Sequence, residues 1–372
     1  MSSELHHQSA ANRSGSGNGF GSRFIAPWGE EVGVRTFIAE RSGAQCEYYG
    51  SGKVALRDGL DILATNTDAH RTSVLLPAYL PSALLEPIKE AGFTPRLYRI
   101  THDLRPDLAD VESLIDHETL ALVSINYFGF PQPSHDALTG IAADYDVPLI
   151  EDNAHSALSM TTSGTLLGTR GDLGFTSFRK TMPVPNGAAL FIWRDEFLSG
   201  PFPRGGIRRG ITAHDGRFIL HKLVELTSNS RPVRGSPRTD EPDHLVEGRD
   251  LFGRDPGTVY LEASQPMSRL SALVLDRLRP AAIVETKRQN YHNRHRFVAK
   301  LDGSRPVFGQ LPRGTCPQAF PIVVEDTEEL ATSIGVSPES LPRWPPLPYE
   351  VMTNDRFETS QYLADHLVPL SI

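Results

Sequence analysis

Short apolar runs alternate with longer amphipathic stretches between residues 47 and 193. The apolar runs have the length and composition of buried strands, and the stretches between them have helical periodicity. Strands that alternate with helices are typical of β-α units, so we expect an α/β fold with a mainly parallel sheet. The pattern predicts helices at residues 54–66, 81–92, 107–117 and 136–145, and strands at residues 73–76, 94–100, 120–125 and 147–150.

The alternation weakens after residue 194. Residues 227–250 are crowded with Ser, Arg, Pro, Asp and Glu, which indicates a long loop or an exposed insertion. Further along, residues 268–278 and 283–297 have helical periodicity, and residues 318–324 form an apolar run typical of a strand.

The same pattern predicts how the chain is divided into domains. The first residues are rich in Ser, Gly, Asn and His and lack the apolar stretch of a secretory signal. We predict a disordered N-terminus at residues 1–22, a large domain at residues 23–227, a mobile loop or insertion at residues 228–254, and a small α+β domain at residues 255–372.

Composition and charge narrow the class of partner. No apolar run approaches the roughly 20 residues that a membrane helix needs. The net charge is −8 and the basic residues do not gather in one stripe, which argues against nucleic acid and anionic lipid as partners. Cys46 and Cys316 form no CxxC pair, so neither a disulfide framework nor a cysteine metal site is indicated. We expect a cytoplasmic protein that binds a small molecule and no metal.

Candidate chemistry lies where polar residues follow apolar runs, because ligands of parallel sheets bind at the carboxyl ends of the strands. The string SGKVAL at residues 51–56 is a turn that opens directly into a helix, and backbone N–H groups at a helix start attract phosphate. An ordinary loop with Ser51 as helix cap is the alternative.

Two further strings place reactive groups at the same edge. VPLIEDNAHS at residues 147–156 delivers Asp152 and His155, and GDLGFTSFRK at residues 171–180 ends on Ser177 and Lys180. Taken alone, an acid after a strand is more often a cap or an ion-pair partner, and a lysine is more often exposed.

Together these groups match the needs of pyridoxal 5'-phosphate. Its aldehyde forms an imine with a lysine, its ring nitrogen stays protonated beside a carboxylate, and its phosphate binds at a helix start. The turn-rich residues 183–190 that follow Lys180 complete the set.

From about Tyr48 to Trp193 the chain resembles the DegT/DnrJ-type nucleotide-sugar aminotransferases, a branch of the fold-type I pyridoxal-phosphate enzymes. The resemblance implies the aspartate aminotransferase-like fold of PLP-dependent transferases, with a mainly parallel sheet in the large domain and a smaller α+β C-terminal domain. It also assigns roles to individual residues. Lys180 is the imine lysine, Asp152 the ring-nitrogen partner, His155 a cofactor neighbour, Ser177 a phosphate ligand, Gly52 and Lys53 the phosphate turn, and Tyr79 the aromatic that stacks on the ring.

The chain departs from the family pattern at several positions. Lys53 replaces a threonine, and Lys180 follows Phe178 by two residues where four are usual. The interval from Lys180 to Gly187 is the usual seven residues, which supports Lys180. Ala188 replaces a second glycine, and Ser264 and Pro266 stand where Asn and Arg often precede the next helix.

The resemblance implies a cytosolic homodimeric aminotransferase. It would move an amino group from an amino-acid donor such as glutamate to a carbonyl acceptor, a nucleotide-linked keto-sugar of sugar biosynthesis. One alternative is a PLP-dependent dehydratase or epimerase; relatives that dehydrate sugars carry histidine in place of the imine lysine, so Lys180 favours transamination. The other is a non-catalytic PLP-fold protein with a binding or regulatory role.

Three arginines outside these strings, Arg204, Arg208 and Arg209, could bind phosphates or be solvated.

Overall fold

The structure of the chain, a computed structural model, describes residues 32–43, 45–194, 197, 202–213, 215–220 and 266–372. The predicted N-terminal segment at residues 1–22 and the predicted loop or insertion at residues 228–254 lie outside the described residues. Within the described ranges, no helix combines the length and the apolar composition that crossing a membrane requires.

A seven-stranded sheet forms the centre of the first part of the chain. Its strands are β1 (Gln45–Tyr49), β2 (Ser73–Pro77), β3 (Thr94–Tyr98), β4 (Thr119–Ile125), β5 (Leu149–Asn153), β6 (Leu173–Ser177) and β7 (Ala188–Ile192). Their spatial order is β1-β7-β6-β5-β4-β2-β3. Strands β6, β5, β4, β2 and β3 run parallel, and β7 is antiparallel to both of its neighbours. The predicted mainly parallel sheet is confirmed.

Helices connect these strands and cover the sheet. They are α1 (Val34–Ser42), α2 (Gly52–Asn66), α3 (Leu85–Glu90), α4 (Leu108–Leu114) and α5 (His135–Asp144). Strands β2, β4 and β5 are buried over their whole length. A parallel sheet covered by helices on both faces needs such strands, which explains the continuous apolar runs SVLLP and TLALVSI in β2 and β4.

A second, smaller sheet lies in the C-terminal part of the chain. Its strands β8 (Ser304–Pro306), β9 (Ala319–Val324) and β10 (Leu367–Ser371) are antiparallel in the order β10-β9-β8. The helices of this part are α6 (Arg269–Arg277), α7 (Pro280–Val298), α8 (Thr327–Ser333), α9 (Tyr349–Met352) and α10 (Glu358–His366). This mixture of helices and antiparallel strands agrees with the expected α+β composition, whereas the domain boundaries stay a prediction.

The predicted helix at residues 81–92 is wrong in its first half. The structure has a 3-10 turn at Ser82–Leu84, and the α-helix α3 begins only at Leu85. A helix running from residue 81 would need the N–H of residue 87 as a hydrogen-bond donor, and Pro87 has none. Starting the helix at Leu85 places Pro87 in the first turn, where no such donor is required.

Strand β5 also differs from the prediction. The apolar run indicated a strand at residues 147–150, whereas β5 extends through Glu151 and Asp152 to Asn153. Carboxylates are uncommon in strands, so the pattern placed both acids after the strand end. Their position inside β5 matters for the site, because neighbouring strand residues point to opposite faces of the sheet.

Candidate active site

Three elements bring the predicted site residues to one edge of the large sheet. Strand β5 carries Asp152, the turn that follows β6 carries Lys180, and helix α2 begins at Gly52. The N–H of Gly187 donates to the carbonyl oxygen of Gly50 at 2.8 Å, which fastens the segment after Lys180 to the turn before α2. The edge at the carboxyl ends of β5 and β6 is therefore a site built from distant parts of the sequence.

Lys180 and Asp152 act on each other electrostatically. Burial lowers the pKa of the Lys180 amine to about 8, and the negative charge of Asp152 opposes that change. Burial raises the pKa of the Asp152 carboxyl to about 6, and the positive charge of Lys180 opposes that change. A lysine whose pKa is near neutrality has a far larger fraction of nucleophilic free amine than an exposed lysine.

The two neighbouring acids of β5 have different surroundings. Asp152 accepts a hydrogen bond from the backbone N–H of Ala154 at 2.8 Å, and its charge reaches Lys180. Glu151 is fully buried and accepts from the Arg170 side chain and from the Asn126 side-chain amide, each at 2.8 Å. Glu151 is thus neutralised by its own partners, and Asp152 is the acid available to a ligand.

His155 lies in an apolar, aromatic pocket beside these residues. Its ring is 3% exposed, and burial together with the positive charge of Lys180 holds its pKa well below the usual range. The backbone N–H of Phe128 donates to Nδ1 of His155 at 2.8 Å. A neutral imidazole that accepts at Nδ1 carries its proton on Nε2, so the ring has one defined tautomer.

The predicted phosphate turn forms the first turn of α2. Ser51 is its N-cap, and the helix begins at Gly52, two residues earlier than predicted. The Nζ atom of Lys53 lies 2.9 Å from Oε2 of Glu86, so this cation already has an acidic partner on α3. Ser177 is the last residue of β6 and is 8% exposed. The start of a 15-residue helix next to a cation suits a phosphate group.

Tyr79 is placed differently from the other predicted residues. Its side chain is fully buried, and its hydroxyl donates to the backbone carbonyl oxygen of Trp344 at 2.5 Å. Its ring packs against those of Tyr127 and Trp344. Tyr79 therefore has no exposed face in this structure, and its assignment as the stacking aromatic stays a prediction.

The string GDLG before Lys180 has a structural role. One carboxylate oxygen of Asp172 accepts from the backbone N–H of Leu149 at 2.7 Å, which fixes the start of β5 against β6. A Cβ on Gly174 would lie 1.9 Å from the carbonyl oxygen of Gly168, so only glycine fits there. These contacts hold the register of the two strands that carry Asp152 and lead to Lys180.

Some residues of the site gave no signal in the sequence. Arg170 neutralises Glu151, and Trp344 contacts His155 edge-on at 4.6 Å between ring centroids. Arg170 directly precedes the GDLG string, which was the one hint available. Trp344 comes from the C-terminal part of the chain, and no local pattern links it to this edge.

The arginines considered as phosphate ligands are largely engaged elsewhere. Arg204 pairs with Asp58 and Asp61 of α2, and Arg208 pairs with Asp215 at 3.0 Å. Arg204 and Arg208 are thus ion-paired and not simply solvated, and their role as phosphate ligands stays a prediction.

The residues at this edge fit pyridoxal phosphate. A partly buried amine of lowered pKa, a buried carboxylate whose charge reaches it and a helix start are the donor set that the cofactor's aldehyde, ring nitrogen and phosphate require. Among the described residues, no group of three or more His, Cys, Asp or Glu side chains is arranged to hold a metal ion.

The comparison with protein families agrees with this geometry. A family model described as the DegT/DnrJ/EryC1/StrS aminotransferase family matches residues 43–197. Residues 43–197 are therefore similar to this family. The predicted resemblance is thereby confirmed over the segment that contains α2, β5, β6 and Lys180. A curated relative, an uncharacterized protein of Methanocaldococcus jannaschii, is 34% identical over 89 residues, which cover 24% of this chain and 22% of the relative.

Several solved structures share the fold of this chain. An aminotransferase of this family from Brucella abortus is 16% identical with a TM-score of 0.59, covering 94% of this chain and 85% of that one. PseC of Helicobacter pylori, an aminotransferase involved in pseudoaminic acid biosynthesis, is 14% identical with a TM-score of 0.59, covering 94% and 90%. DesI, solved with its TDP-sugar product, is 18% identical with a TM-score of 0.59, covering 93% and 82%. The predicted PLP-dependent transferase fold is confirmed.

Proposed function

We propose that the protein is a pyridoxal-phosphate-dependent aminotransferase. The observation that carries this proposal is the pair of partly buried Lys180 and buried Asp152, with the pKa of the amine lowered to about 8 and that of the acid raised to about 6. Perturbed lysine and carboxylate groups at the ligand edge of a parallel sheet are typical of a catalytic site. The match of residues 43–197 to an aminotransferase family supports the same reaction.

When bound, the cofactor supplies an aldehyde that condenses with amines and a ring that accepts electrons. Asp152 would stabilise a proton on the ring nitrogen. A carboxylate about 4 Å from a protonated nitrogen contributes about 4 kcal/mol at an effective dielectric constant of about 20. That energy corresponds to about three pKa units, enough to keep the ring nitrogen protonated at neutral pH.

Lys180 is the proposed catalytic residue. Its Nζ would hold the cofactor, and as a free amine Lys180 would accept and return the proton of the amino donor. The burial that lowers its pKa keeps a useful fraction of the amine unprotonated for this task. Gly52 and Lys53 at the start of α2, together with Ser177, hold the phosphate, and His155 lies beside the cofactor.

The substrates are proposed from the relatives. DesI was solved with a TDP-sugar product, and PseC serves pseudoaminic acid biosynthesis. We propose a nucleotide-linked keto-sugar as the acceptor and an amino acid such as glutamate as the donor. Sites of this fold class lie at a two-fold interface, so we propose a homodimer, and we place the protein in the cytoplasm.

The two half-reactions test this proposal separately. The purified holoenzyme is mixed with glutamate, and the cofactor absorbance and 2-oxoglutarate formation are followed. A TDP-linked or UDP-linked 4-keto sugar is then added, and return of the original absorbance with an amino-sugar product is expected. If other amino acids convert the cofactor and glutamate does not, glutamate is the wrong donor and the proposed reaction still stands.

The variant Lys180→Ala is the negative control, and Lys300→Ala, at an exposed lysine outside the site, is the matched control. Lys180→Ala is expected to lose both half-reactions, and Lys300→Ala to keep both. Absence of cofactor conversion with every amino donor would contradict transamination and favour a non-catalytic binding role. Loss of water from the keto-sugar without amine transfer would favour the dehydratase alternative.

A further inference from the structure

Trp344 reaches the candidate site from the C-terminal part of the chain. Its side chain is 3% exposed, and its ring meets the ring of His155 edge-on, with 4.6 Å between centroids and 69° between planes. It meets the ring of Phe128 in the same way at 5.3 Å. Trp344 thus contacts both His155 and the residue whose backbone N–H binds His155.

The segment around Trp344 is fastened to the loop that follows β2. The hydroxyl of Tyr79 donates to the Trp344 carbonyl oxygen at 2.5 Å, and the backbone N–H of Ser82 donates to the carbonyl oxygen of Pro346 at 2.9 Å. Both hydrogen bonds fasten the backbone on the C-terminal side of Trp344 to the loop after β2. The buried indole lies next to this fastened backbone and packs against the rings of Tyr79, Phe128 and His155.

The ring of His155 needs a fixed orientation to keep its single tautomer. Its Nδ1 atom accepts from the Phe128 N–H at 2.8 Å, and Phe128 itself has a left-handed backbone with φ of +55°. If the imidazole turned over, a carbon would replace Nδ1 as the neighbour of that N–H, and a buried donor would lose its partner. The ring of Trp344 packs against the same imidazole, with 4.6 Å between centroids.

We propose that Trp344 is a positioning residue of the site, which packs edge-on against His155 and holds the imidazole with Nδ1 on the Phe128 amide and the proton on Nε2. The contact couples the C-terminal part of the chain to the cofactor-binding edge. The role of His155 beside the cofactor rests on the proposed function, whereas the orientation of its ring does not.

The orientation is tested first on the cofactor-free full chain. Histidine ring nitrogens are labelled with ¹⁵N, and the His155 signals, assigned through their loss in His155→Gln, report which nitrogen carries the proton. Trp344→Leu is expected to replace the single Nε2–H tautomer by a mixture, and Trp344→Phe to retain it. If Trp344→Leu does not fold, the proposal is judged on Trp344→Phe and Trp344→His by the same signals.

Tyr362→Leu is the matched control. Tyr362 also belongs to the C-terminal part and meets His102 edge-on, with 5.0 Å between centroids and 83° between planes. This variant is expected to leave the His155 signals unchanged, because it removes the same kind of contact at another place. A shift of equal size in both variants would contradict a specific role for Trp344.

A double-mutant cycle then tests whether Trp344 acts through His155. Removing an edge-on aromatic contact is expected to lower kcat/KM about 2- to 10-fold in Trp344→Leu. The same change on the His155→Gln background is expected to have little further effect. If Trp344→Leu lowers kcat/KM by the same factor in the wild type and in His155→Gln, the two residues act independently and the proposal is overturned. A His155 spectrum that Trp344→Leu leaves unaltered would also overturn it.

The outcomes separate this proposal from the proposed function. Borohydride reduction of the cofactor-bound protein shows whether the cofactor is attached to Lys180. An adduct on Lys180 together with unaltered His155 signals would refute the positioning role alone. A missing adduct together with altered His155 signals would refute the proposed function and keep the positioning role.

Discussion

The amine of Lys180 lies among charges of both signs. Asp152 raises its pKa, whereas Arg179 and Lys53 lower it, and burial lowers it most. The result is an amine whose pKa is about 8, far below the 10.5 of an ordinary lysine. The reactivity of this residue therefore depends on its neighbours as much as on its burial.

Substitution of the two neighbours should shift the pKa of Lys180 in opposite directions. Asp152→Asn removes the charge that favours the ammonium form, so the pKa is expected to fall below about 8. Lys53→Met removes a repelling charge, so the pKa is expected to rise. NMR titration of ¹³C-labelled lysine methylene groups in the cofactor-free protein measures both.

The control for these variants is Lys89→Met on α3, since Lys89 does not affect the pKa of Lys180. It should leave the titration of Lys180 where it is in the wild type. Shifts of the same sign in Asp152→Asn and Lys53→Met would contradict the electrostatic arrangement described for the site.

At the scale of elements, the connection after β4 holds His155 in place. This connection contains the short 3-10 turn Tyr127–Gly129, which begins after Asn126 and supplies the N–H that binds His155. Gly129 has φ of +85°, and a Cβ on it would lie 2.6 Å from the carbonyl oxygen of Cys316 and 2.8 Å from the Cβ of Ser156. A side chain at residue 129 would push apart the segments that meet beside His155.

We expect Gly129→Ala to be more destabilising than Gly92→Ala. Gly92 has a similar φ of +89°, but open space surrounds the position of its missing Cβ. Both variants carry the left-handed backbone penalty of about 1–2 kcal/mol, and Gly129→Ala adds about 1–3 kcal/mol of overpacking. Urea denaturation measures the free energy of unfolding for each. Equal losses would show that the turn can move away from Cys316 and Ser156 without cost.

For the whole molecule, the pair of partly buried Lys180 and buried Asp152 makes stability depend on pH. The folded protein lowers the pKa of Lys180 from 10.5 to about 8, so the stability that the neutral amine contributes is lost as the pH falls through about 8. It raises the pKa of Asp152 from 3.8 to about 6, so the stability that the neutral acid contributes is lost as the pH rises through about 6. Between these values the fold carries two buried charges.

The double variant Asp152→Asn, Lys180→Met should therefore stabilise the cofactor-free protein. Replacement of a buried charged pair by neutral groups of similar size commonly stabilises by about 1–4 kcal/mol. Urea denaturation from pH 5 to 9 is expected to show the largest gain near pH 7. The exposed ion pair of Asp103 and Arg105 is the control. Replacing both residues by neutral ones should change the free energy of unfolding by less than about 1 kcal/mol. A double variant less stable than the wild type at pH 7 would contradict a cost of burying this pair.

Much of this molecule could be predicted from its sequence, for physical reasons that particular residues illustrate. Strands β2 and β4 are buried on both faces and so appear as continuous apolar runs. Asp152 lies near the end of β5 and Lys180 in the turn after β6, and their edge of the sheet follows from parallel topology alone.

The rest could not be predicted because it depends on contacts between distant segments. Helix α1 packs against α6, and no pattern near Val34–Ser42 indicates that partner. Trp344 reaches His155, and Tyr79 is covered by the same segment, only after the C-terminal part has folded against the loop after β2. Local periodicity holds no information on such contacts.

The central claim is that Lys180 is the residue that binds the cofactor. The purified full chain is saturated with pyridoxal phosphate, reduced with borohydride, digested and mapped by mass spectrometry, with Lys180→Ala and Lys53→Met treated in parallel. We predict a reduced pyridoxyl adduct on the peptide that contains Lys180 in the wild type and in Lys53→Met, and none in Lys180→Ala. A visible absorbance band that borohydride does not abolish, or an adduct on Lys53 in place of Lys180, would contradict the account.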